Sequence, residues 1–140
     1  MRNTSPPVTD NITEVLALII KFTQARQKIL AGNIKHVNTA GYIPTDLDVD
    51  AFSSLIDNAL EEHIQSQRLV LYDTESIKFG AAGKIELKPT FDEYAAKLLE
   101  DNELSKYFEL QTNKISENSL NYKVADDLLK QKQGIISIFK

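Results

Sequence analysis

The sequence contains no cysteine and no tryptophan, and its 140 residues include only four prolines and five glycines. Without cysteine, the chain has no disulfides, no thiolate metal ligands and no thiol nucleophile. The two histidines, His36 and His63, show no regular metal-ligand spacing, and we expect each to lie at a helix end or on the surface. No glycine-rich phosphate loop is present, and no serine or threonine has a recognisable nucleophile setting. We therefore predict a protein that is not an enzyme, with no cofactor and no metal.

Charge and hydropathy exclude two further classes. The formal net charge is −4, and the lysines and arginines are scattered among acidic residues, whereas nucleic-acid binders concentrate basic residues on one face. The longest apolar run, Val15 to Ile20, is far shorter than the roughly 20 residues of a membrane span. No small-residue cleavage site follows that run, as a secretory signal would require. We predict a globular chain with no nucleic-acid partner, no membrane span and no cleaved signal peptide.

The first half of the chain is predicted to be largely helical. Residues 1–10, MRNTSPPVTD, combine two prolines with polar residues and are expected to be mobile. From Ile12, apolar residues recur at three-and-four spacing and predict a helix of about 25 residues that ends near Val37. Gly41 can then take the positive φ of a sharp turn. Residues 11–65 are predicted to hold this helix, the turn, an extended segment and a second helix within AFSSLIDNALEEHIQSQ, residues 51–67.

The extended segment is predicted from an alternation along residues 43–51. Ile43, Thr45 and Leu47 belong to the set expected to pack on the protein, and Pro44 confines the segment to a sheet edge or a run outside a sheet.

Its acidic residues, Asp46, Asp48 and Asp50, have the one-three-five spacing that opens a calcium loop. That loop also needs glycine at the sixth position and glutamate at the twelfth, where this sequence has Ala51 and Asp57. We favour a solvated face over a calcium site or a metal-dependent hydrolase.

The second half is predicted to be irregular at first and then helical again. Residues 66–102 contain three short β-prone runs, RLVLYD, SIKFG and KIELKP, and a small hairpin is expected there. A break around Asp101 and Asn102 is predicted to separate a short helix from a long one running from about Leu104 to Ile138. The fourth segment of the chain, residues 103–140, is predicted to pack on the first helix.

The long second-half helix carries a seven-residue repeat of large apolar residues, here called the heptad stripe: Phe108, Ile115, Tyr122, Leu129 and Ile136. Such a repeat predicts near-parallel packing against another helix. Polar residues at the other seam positions, Gln111, Asn118 and Lys132, would make an isolated two-stranded coiled coil weak, so further partners are implied. The predicted fold is mainly α, with long first and last helices packed as a coiled-coil-like bundle around a short extended and hairpin middle.

Two stretches resemble a known family. The stretch RQKILAGNIKHVNTAGYIPTDLDVDAF is similar to the N-terminal signature of the flagellar rod and hook family, with matches at Asn33, Ile34, Asn38, Thr39, Gly41 and Tyr42. Lys35 and His36 replace the usual Ala-Asn of that signature, and Ala40 stands at its usual proline. The stretch ISENSLNYKVADDLLKQKQGIISIF resembles the closing helix of the family, with matches at Asn118, Tyr122, Leu128, Leu129 and Ile136.

This resemblance implies a structural role. In this family the first and last helices form the inner layer of a helical tube, and the Asn-Thr-x-Gly-Tyr turn redirects the chain outwards. The resemblance implies a subunit of the bacterial flagellar basal-body rod in the periplasm, which leaves the cell interior through the flagellar type III export apparatus without a cleaved signal peptide. Its partners would be other rod subunits, further copies of itself, and the adaptor protein between the export gate and the MS ring. The alternative is a soluble helical-bundle adaptor or export chaperone.

Overall fold

The computed structural model of this chain describes residues 10–138, with side-chain positions up to residue 134. The fold is mainly α with a short antiparallel middle, which confirms the predicted class. The described elements are the helices α1 (Asn11–Lys35), α2 (Val49–Ser66), α3 (Glu93–Glu100) and α4 (Leu104–Ile138), and the strands β1 (Thr45–Asp46), β2 (Ile77–Phe79), β3 (Ile85–Leu87) and β4 (Thr90–Phe91). The predicted mobile segment, residues 1–10, falls outside the described residues except for Asp10.

Local signals fix both ends of α1. The Asp10 carboxylate caps the helix by accepting a 2.7 Å hydrogen bond from the main-chain N–H of Thr13, and Glu14 lies in the first turn, where the helix dipole favours an acid. At the other end, the His36 N–H donates to the Gly32 carbonyl at 2.9 Å. The helix has 25 residues, as predicted.

The main core lies where α1 meets α2 and the hairpin. The rings of Phe22 and Phe52 stack with centroids 4.0 Å apart, and they anchor α2 on α1. Ile64 has the helical spacing of the buried residues of α2 but is 76% exposed. The buried members of this core are Val15, Leu18, Phe22, Leu47, Phe52, Leu55, Ile56 and Ile77.

The predicted hairpin is confirmed. β2 pairs antiparallel with β3, and Ile77 lies opposite Leu87. The β-prone run RLVLYD is not a strand in the structure; Leu69 and Leu71 instead pack against the main core.

The alternation predicted for residues 43–51 is wrong. Ile43 is 61% exposed, whereas Pro44 and Asp46 are buried. The physical reason is length, because β1 has two residues, paired antiparallel with β4, and α2 already begins at Val49. A strand of two residues is too short for side chains to alternate between a buried and an exposed face. Asp46, expected on a solvated face, therefore faces the interior.

Helix α4 packs antiparallel along α1 over most of its length. Its Gln111 contacts Asn33, Asn118 contacts Thr23 and Lys132 contacts Asp10. The predicted break before α4 is confirmed by Asn102, which has φ of 56° between α3 and α4. A second small core beside this turn contains Ala95, Leu98 and Tyr107.

Candidate functional site

Asn33, the first of the six matched residues of the family-like signature, is fully buried and joins several elements. Its amide nitrogen donates to the Thr45 carbonyl at 2.8 Å and to the Gln111 side-chain oxygen at 3.0 Å. Its amide oxygen accepts a 2.7 Å bond from the Tyr42 hydroxyl and a 3.3 Å bond from the Thr45 N–H. With Tyr107, described next, these residues form the Asn33 junction: Asn33, Tyr42, Thr45, Tyr107 and Gln111. It joins α1, the turn, β1 and α4.

Tyr107 completes the junction from α4. Its hydroxyl donates to the main-chain carbonyl of Asn33 at 2.8 Å. That carbonyl lies in the last turn of α1, where carbonyls lack helical amide partners, and the Val37 N–H already bonds to Ile34. Burial raises the pKa of Tyr107 to about 12, with smaller contributions from Tyr42 and Asp92. The phenol is therefore a neutral donor throughout the physiological pH range.

A second group, here called the ion cluster, lies beside the junction and consists of the buried Arg26 and Asp46 and the half-buried Asp92 and Lys114. The Arg26 guanidinium binds both Asp46 oxygens, at 2.9 and 3.0 Å. The Lys114 ammonium bridges Asp46 at 3.0 Å and Asp92 at 2.7 Å. The Arg26 guanidinium also lies 3.7 Å from the exposed carboxylate of Glu117. The cluster connects α1, β1, α4 and the N-terminal cap of α3, where Asp92 accepts from the Ala95 N–H.

The charges of the ion cluster are stabilised by their neighbours. Burial by itself would raise the pKa of Asp46, but hydrogen bonds from Arg26 and Lys114 outweigh it and hold that pKa below its usual value. Burial would likewise lower the pKa of Lys114, and the carboxylates of Asp92 and Asp46 instead raise it. Both groups are therefore charged at neutral pH. Breaking such a buried pair leaves an uncompensated charge, which is strongly destabilising.

The turn that follows α1 matches the expected geometry at Gly41, whose φ is +73°. A Cβ atom built on Gly41 would meet no atom within 4 Å, so glycine is favoured there by backbone conformation and not by space. Asn38 and Thr39 are exposed, and Ile34 is half-buried. Of the six signature residues, the structure brings Asn33 and Tyr42 into direct contact, while Asn38, Thr39 and Gly41 form the exposed turn.

The heptad stripe does not form the centre of the α1–α4 contact. Phe108 is 36% exposed, Ile115, Tyr122 and Leu129 are half-buried, and the side chain of Ile136 lies outside the described part. The four buried residues of the described α4 side chains are Tyr107, Gln111, Asn118 and Ala125. Gln111, Asn118 and Ala125 are seven residues apart. A seven-residue repeat therefore does face α1, but these residues occupy it and the large apolar residues of the heptad stripe do not.

Asn118 shows how a polar residue serves this interface. It is 2% exposed, and its amide nitrogen donates to the Thr23 carbonyl at 2.7 Å and to the Gln27 side-chain oxygen at 3.3 Å. The donor group of the Asn118 amide is thus used across the α1–α4 interface, and the weakness predicted for an isolated two-stranded coiled coil stays a prediction.

An open apolar groove runs along the same helices. Its floor is α1, from Leu16 to Arg26, and its walls are α2 and α4; its volume is about 430 Å³. On the α4 wall, Leu120, Val124 and Leu128 are 62%, 50% and 44% exposed. These three residues lie at helical spacing on one face of α4, which makes the groove a candidate interaction surface.

The three aspartates that suggested calcium do not converge. Asp46 is held in the ion cluster, Asp48 caps α2 by accepting from the Ala51 N–H at 2.9 Å, and Asp50 lies in the first turn of α2. Among the described residues, no group of three or more histidines, cysteines or carboxylates could hold a metal ion. Within the same range, no helix is long and apolar enough to cross a membrane.

The comparisons with known proteins add no relative. Searches against protein-family models, curated proteins and solved structures each returned no significant match.

Sequence reasoning found Asn33 and Tyr42 but missed Tyr107, Lys114 and the ion cluster. Sequence spacing carries no signal for such pairs, since Lys114 lies 68 residues from Asp46. One local signal existed. Intervals of four, three, four and seven residues, the spacing of one helix face, separate the α4 residues that pack on α1 or enter the ion cluster: Tyr107, Gln111, Lys114, Asn118 and Ala125.

Proposed function

We propose that this protein is a structural subunit of a helical axial assembly of the flagellar rod and hook class. Within that class, we propose the proximal rod of the bacterial flagellar basal body. Its partners are then further copies, neighbouring rod subunits, and the adaptor protein between the export gate and the MS ring. Export through the type III apparatus, without a cleaved signal peptide, follows from that assignment.

The observation that carries the proposal is the Asn33–Tyr42 contact. Both residues belong to the family-like signature, and their 2.7 Å hydrogen bond lies at the point where the chain leaves the α1–α4 pair. Gln111 and Tyr107 connect the same point to α4. Asn33 and Tyr42, which carry the resemblance, therefore hold the chain where it leaves a pair of long helices. A rod subunit requires such a fixed exit.

The surface and the size of the middle support the same proposal. Leu120, Val124 and Leu128 are exposed on a helix of the long pair, where a monomer would be at risk of aggregation and an assembling subunit has contacts to make. Between β1 and α4 the chain holds α2, one hairpin, β4 and α3. The family resemblance associates a small middle with the proximal rod and larger insertions with the hook and distal rod.

The alternative, a helical-bundle adaptor or export chaperone, is favoured by one feature. The groove between α2 and α4 is open and apolar, so it could hold an amphipathic segment of a client protein. The two functions differ in where the protein ends up, because a rod subunit stays in the basal body and a chaperone does not.

The test is a gene deletion followed by analysis of purified basal bodies. We expect non-motile cells without hooks or filaments, restored by the wild-type gene, and we expect the protein in cryo-EM density of the proximal rod. The control is a synonymously recoded gene, which encodes the same protein and should restore motility equally well. Intact rods in the deletion strain, or a protein confined to the cytoplasm of wild-type cells, would contradict the proposal and favour the chaperone.

A further inference from the structure

The side chain of Asn11, at the start of α1, links this helix to the end of α2. Its amide nitrogen donates to the main-chain carbonyl oxygen of Gln67, the C-terminal cap of α2, at 3.1 Å. The same nitrogen lies 3.0 Å from Nδ1 of the His63 ring, in the last turn of α2. An amide nitrogen carries two hydrogens, so it can serve both partners at once. These two contacts of Asn11, with His63 and Gln67, are here called the Asn11 bridge.

The Gln67 carbonyl determines which way the Asn11 amide points. A carbonyl oxygen only accepts hydrogen bonds, so the Asn11 atom that faces it must be the nitrogen. Because that nitrogen also faces His63, Nδ1 of the ring must be an acceptor and the ring proton must lie on Nε2. The Asn11 bridge therefore requires a neutral His63 ring.

Protonation of His63 removes one of the two contacts. Both nitrogens of an imidazolium ring are donors, so Nδ1–H would face the N–H of Asn11. If the Asn11 amide turns over, its oxygen can accept from Nδ1–H, but this oxygen then faces the Gln67 carbonyl, which is another acceptor. In either arrangement Asn11 satisfies only one of its two partners.

The charged groups on the α2 side of the bridge do not replace the lost contact. Within the part of the chain that the structure describes, His63 belongs to none of the ion pairs. The neighbouring Glu62 is paired with Arg68 at 3.5 Å, and its carboxylate also accepts from the Ser66 hydroxyl. The last turn of α2 favours a cation whether or not Asn11 is present, so a test has to vary Asn11 itself.

The charged groups on the α1 side are Asp10 and Glu14. The Asp10 carboxylate accepts from the Thr13 N–H at 2.7 Å and is paired with Lys132 at 3.2 Å, and Glu14 lies in the first turn of α1. The Lys132 contact attaches α4 to the same end of α1. Three helices therefore meet beside the bridge.

We propose that the Asn11 bridge is a pH-sensitive contact, in which neutral His63 holds the start of α1 to the end of α2 and protonation of His63 breaks one half of the bridge. Histidine changes charge between about pH 5 and 8, so the start of α1 is held less firmly at the acid end of this range. This inference goes beyond the proposed function and does not depend on it.

The first test compares Asn11→Asp with the wild-type protein at pH 8 and pH 5. A carboxylate has no donor for the Gln67 carbonyl or for neutral His63, but it can pair with protonated His63. The unfolding equilibrium constant of each full-length protein is measured by urea denaturation followed by circular dichroism. The ratio of the variant constant to the wild-type constant should fall about fivefold or more from pH 8 to pH 5, the effect of at least one hydrogen bond.

Two backgrounds show whether this fall depends on His63. His63→Gln keeps a side-chain acceptor but does not titrate, so in that background the ratio should be equal at the two pH values. His36→Gln is the matched control, because His36 is the other histidine of the sequence and is exposed at the C-terminal cap of α1. In the His36→Gln background the fall should persist.

The second test observes the histidine rings by NMR of ¹⁵N-labelled wild-type protein and needs no variant to fold. At pH 8 the His63 ring should carry its proton on Nε2 alone, whereas the exposed His36 ring should show a mixture of both tautomers. In Asn11→Ala the His63 ring should become a mixture as well.

The inference is overturned if wild-type His63 carries its proton on Nδ1 at pH 8, or if the ratio for Asn11→Asp is the same at both pH values. It is also overturned if the ratio falls equally in the His63→Gln background, because the pH dependence would then come from another group. Loss of the fall in the His36→Gln background would assign the effect to the wrong histidine and would count against the bridge in the same way.

Discussion

The hydroxyl of Tyr107 donates a 2.8 Å hydrogen bond to the main-chain carbonyl of Asn33, 74 residues earlier in the chain. This bond gives the end of α1 a partner from the start of α4, so the two long helices are joined at the point where the chain turns away from them. The Asn33 side chain extends the same connection to Tyr42, Thr45 and Gln111.

Tyr107→Phe removes only the hydroxyl and leaves the Asn33 carbonyl buried without this donor. We expect the free energy of unfolding, measured by urea denaturation, to fall by about 1–3 kcal/mol, the usual cost of an unsatisfied buried polar group. Tyr94→Phe is the matched control, because Tyr94 is 61% exposed on α3, and it should change stability little. Equal effects of the two substitutions would mean that the Tyr107 hydroxyl makes no special contribution.

Gly41→Val tests the turn. Because Gly41 has φ of +73° and an open surrounding, the cost should come from the backbone alone, at about 1–2 kcal/mol or more for a β-branched residue. Gly41→Asn should cost less, since asparagine tolerates this conformation. Gly32→Ala is the control: it also meets no atom within 4 Å, lies inside α1, and should stabilise the protein slightly. If the protein is a rod subunit, motility should fall with Gly41→Val. Wild-type stability and swimming together would refute this account of the turn.

The ion cluster predicts loss of stability at both extremes of pH. The pKa of Asp46 is lower in the folded protein than its ordinary 3.8, so its contribution is present above about that pH and is lost as pH falls through the folded value. The pKa of Lys114 is raised above its ordinary 10.5, so its contribution is present below that pH and is lost as pH rises through the folded value. Tyr107 adds a loss between pH 10 and about 12.

Urea denaturation at a series of pH values measures these effects. Asp46→Asn should flatten the acid limb and Lys114→Met the alkaline limb, although each variant will be less stable at neutral pH because its partners lose a counter-charge. Asp127→Asn removes an exposed carboxylate that pairs with Lys123 and should retain both limbs. An unchanged acid limb in Asp46→Asn would assign the acid dependence to other carboxylates.

The long helices were predictable because their signals are local. The spacing of apolar residues from Ile12 gave α1 to within two residues, and Asn102 gave the break before α4. Asp46 was misplaced because alternation predicts a face only when a strand is long enough to show it, and β1 has two residues.

The candidate site was predictable in part. Asn33 and Tyr42 stand in one recognisable stretch, whereas their partners Tyr107 and Gln111 come from a helix more than 60 residues away. The heptad stripe indicated the right helix and the right repeat, but hydrophobicity could not identify Gln111 and Asn118 as the packed positions. The Gln111 oxygen and the Asn118 amide nitrogen both hydrogen-bond to α1, whereas the Gln111 amide nitrogen is buried without a partner. Such long-range pairs leave no periodic trace in the sequence.

Asn118 provides the last prediction, which concerns the alignment of α4 on α1. Its bonds to Thr23 and Gln27 are available only at one alignment of the two helices, and a buried asparagine is a known means of fixing the register of packed helices. Asn118→Leu keeps the volume and removes this requirement. We expect its free energy of unfolding to stay within about 1.5 kcal/mol of wild type or to rise, since replacing a buried polar contact by an apolar one is often tolerated. We expect the alignment to become heterogeneous.

The absence of cysteine makes the alignment measurable, because spin labels can be attached at Gln24→Cys and Ser119→Cys without competing sites. Both positions line the same side of the α1–α4 contact and are exposed. In the otherwise wild-type protein, double electron–electron resonance spectroscopy should give one narrow distribution of distances between the two spin labels. Asn118→Leu should broaden it or add a population displaced by about 10 Å, the length of seven helical residues. Asn113→Leu, at an exposed position of α4, should leave the distribution narrow. A narrow distribution in both variants would mean that the Asn33 junction sets the alignment without help from Asn118.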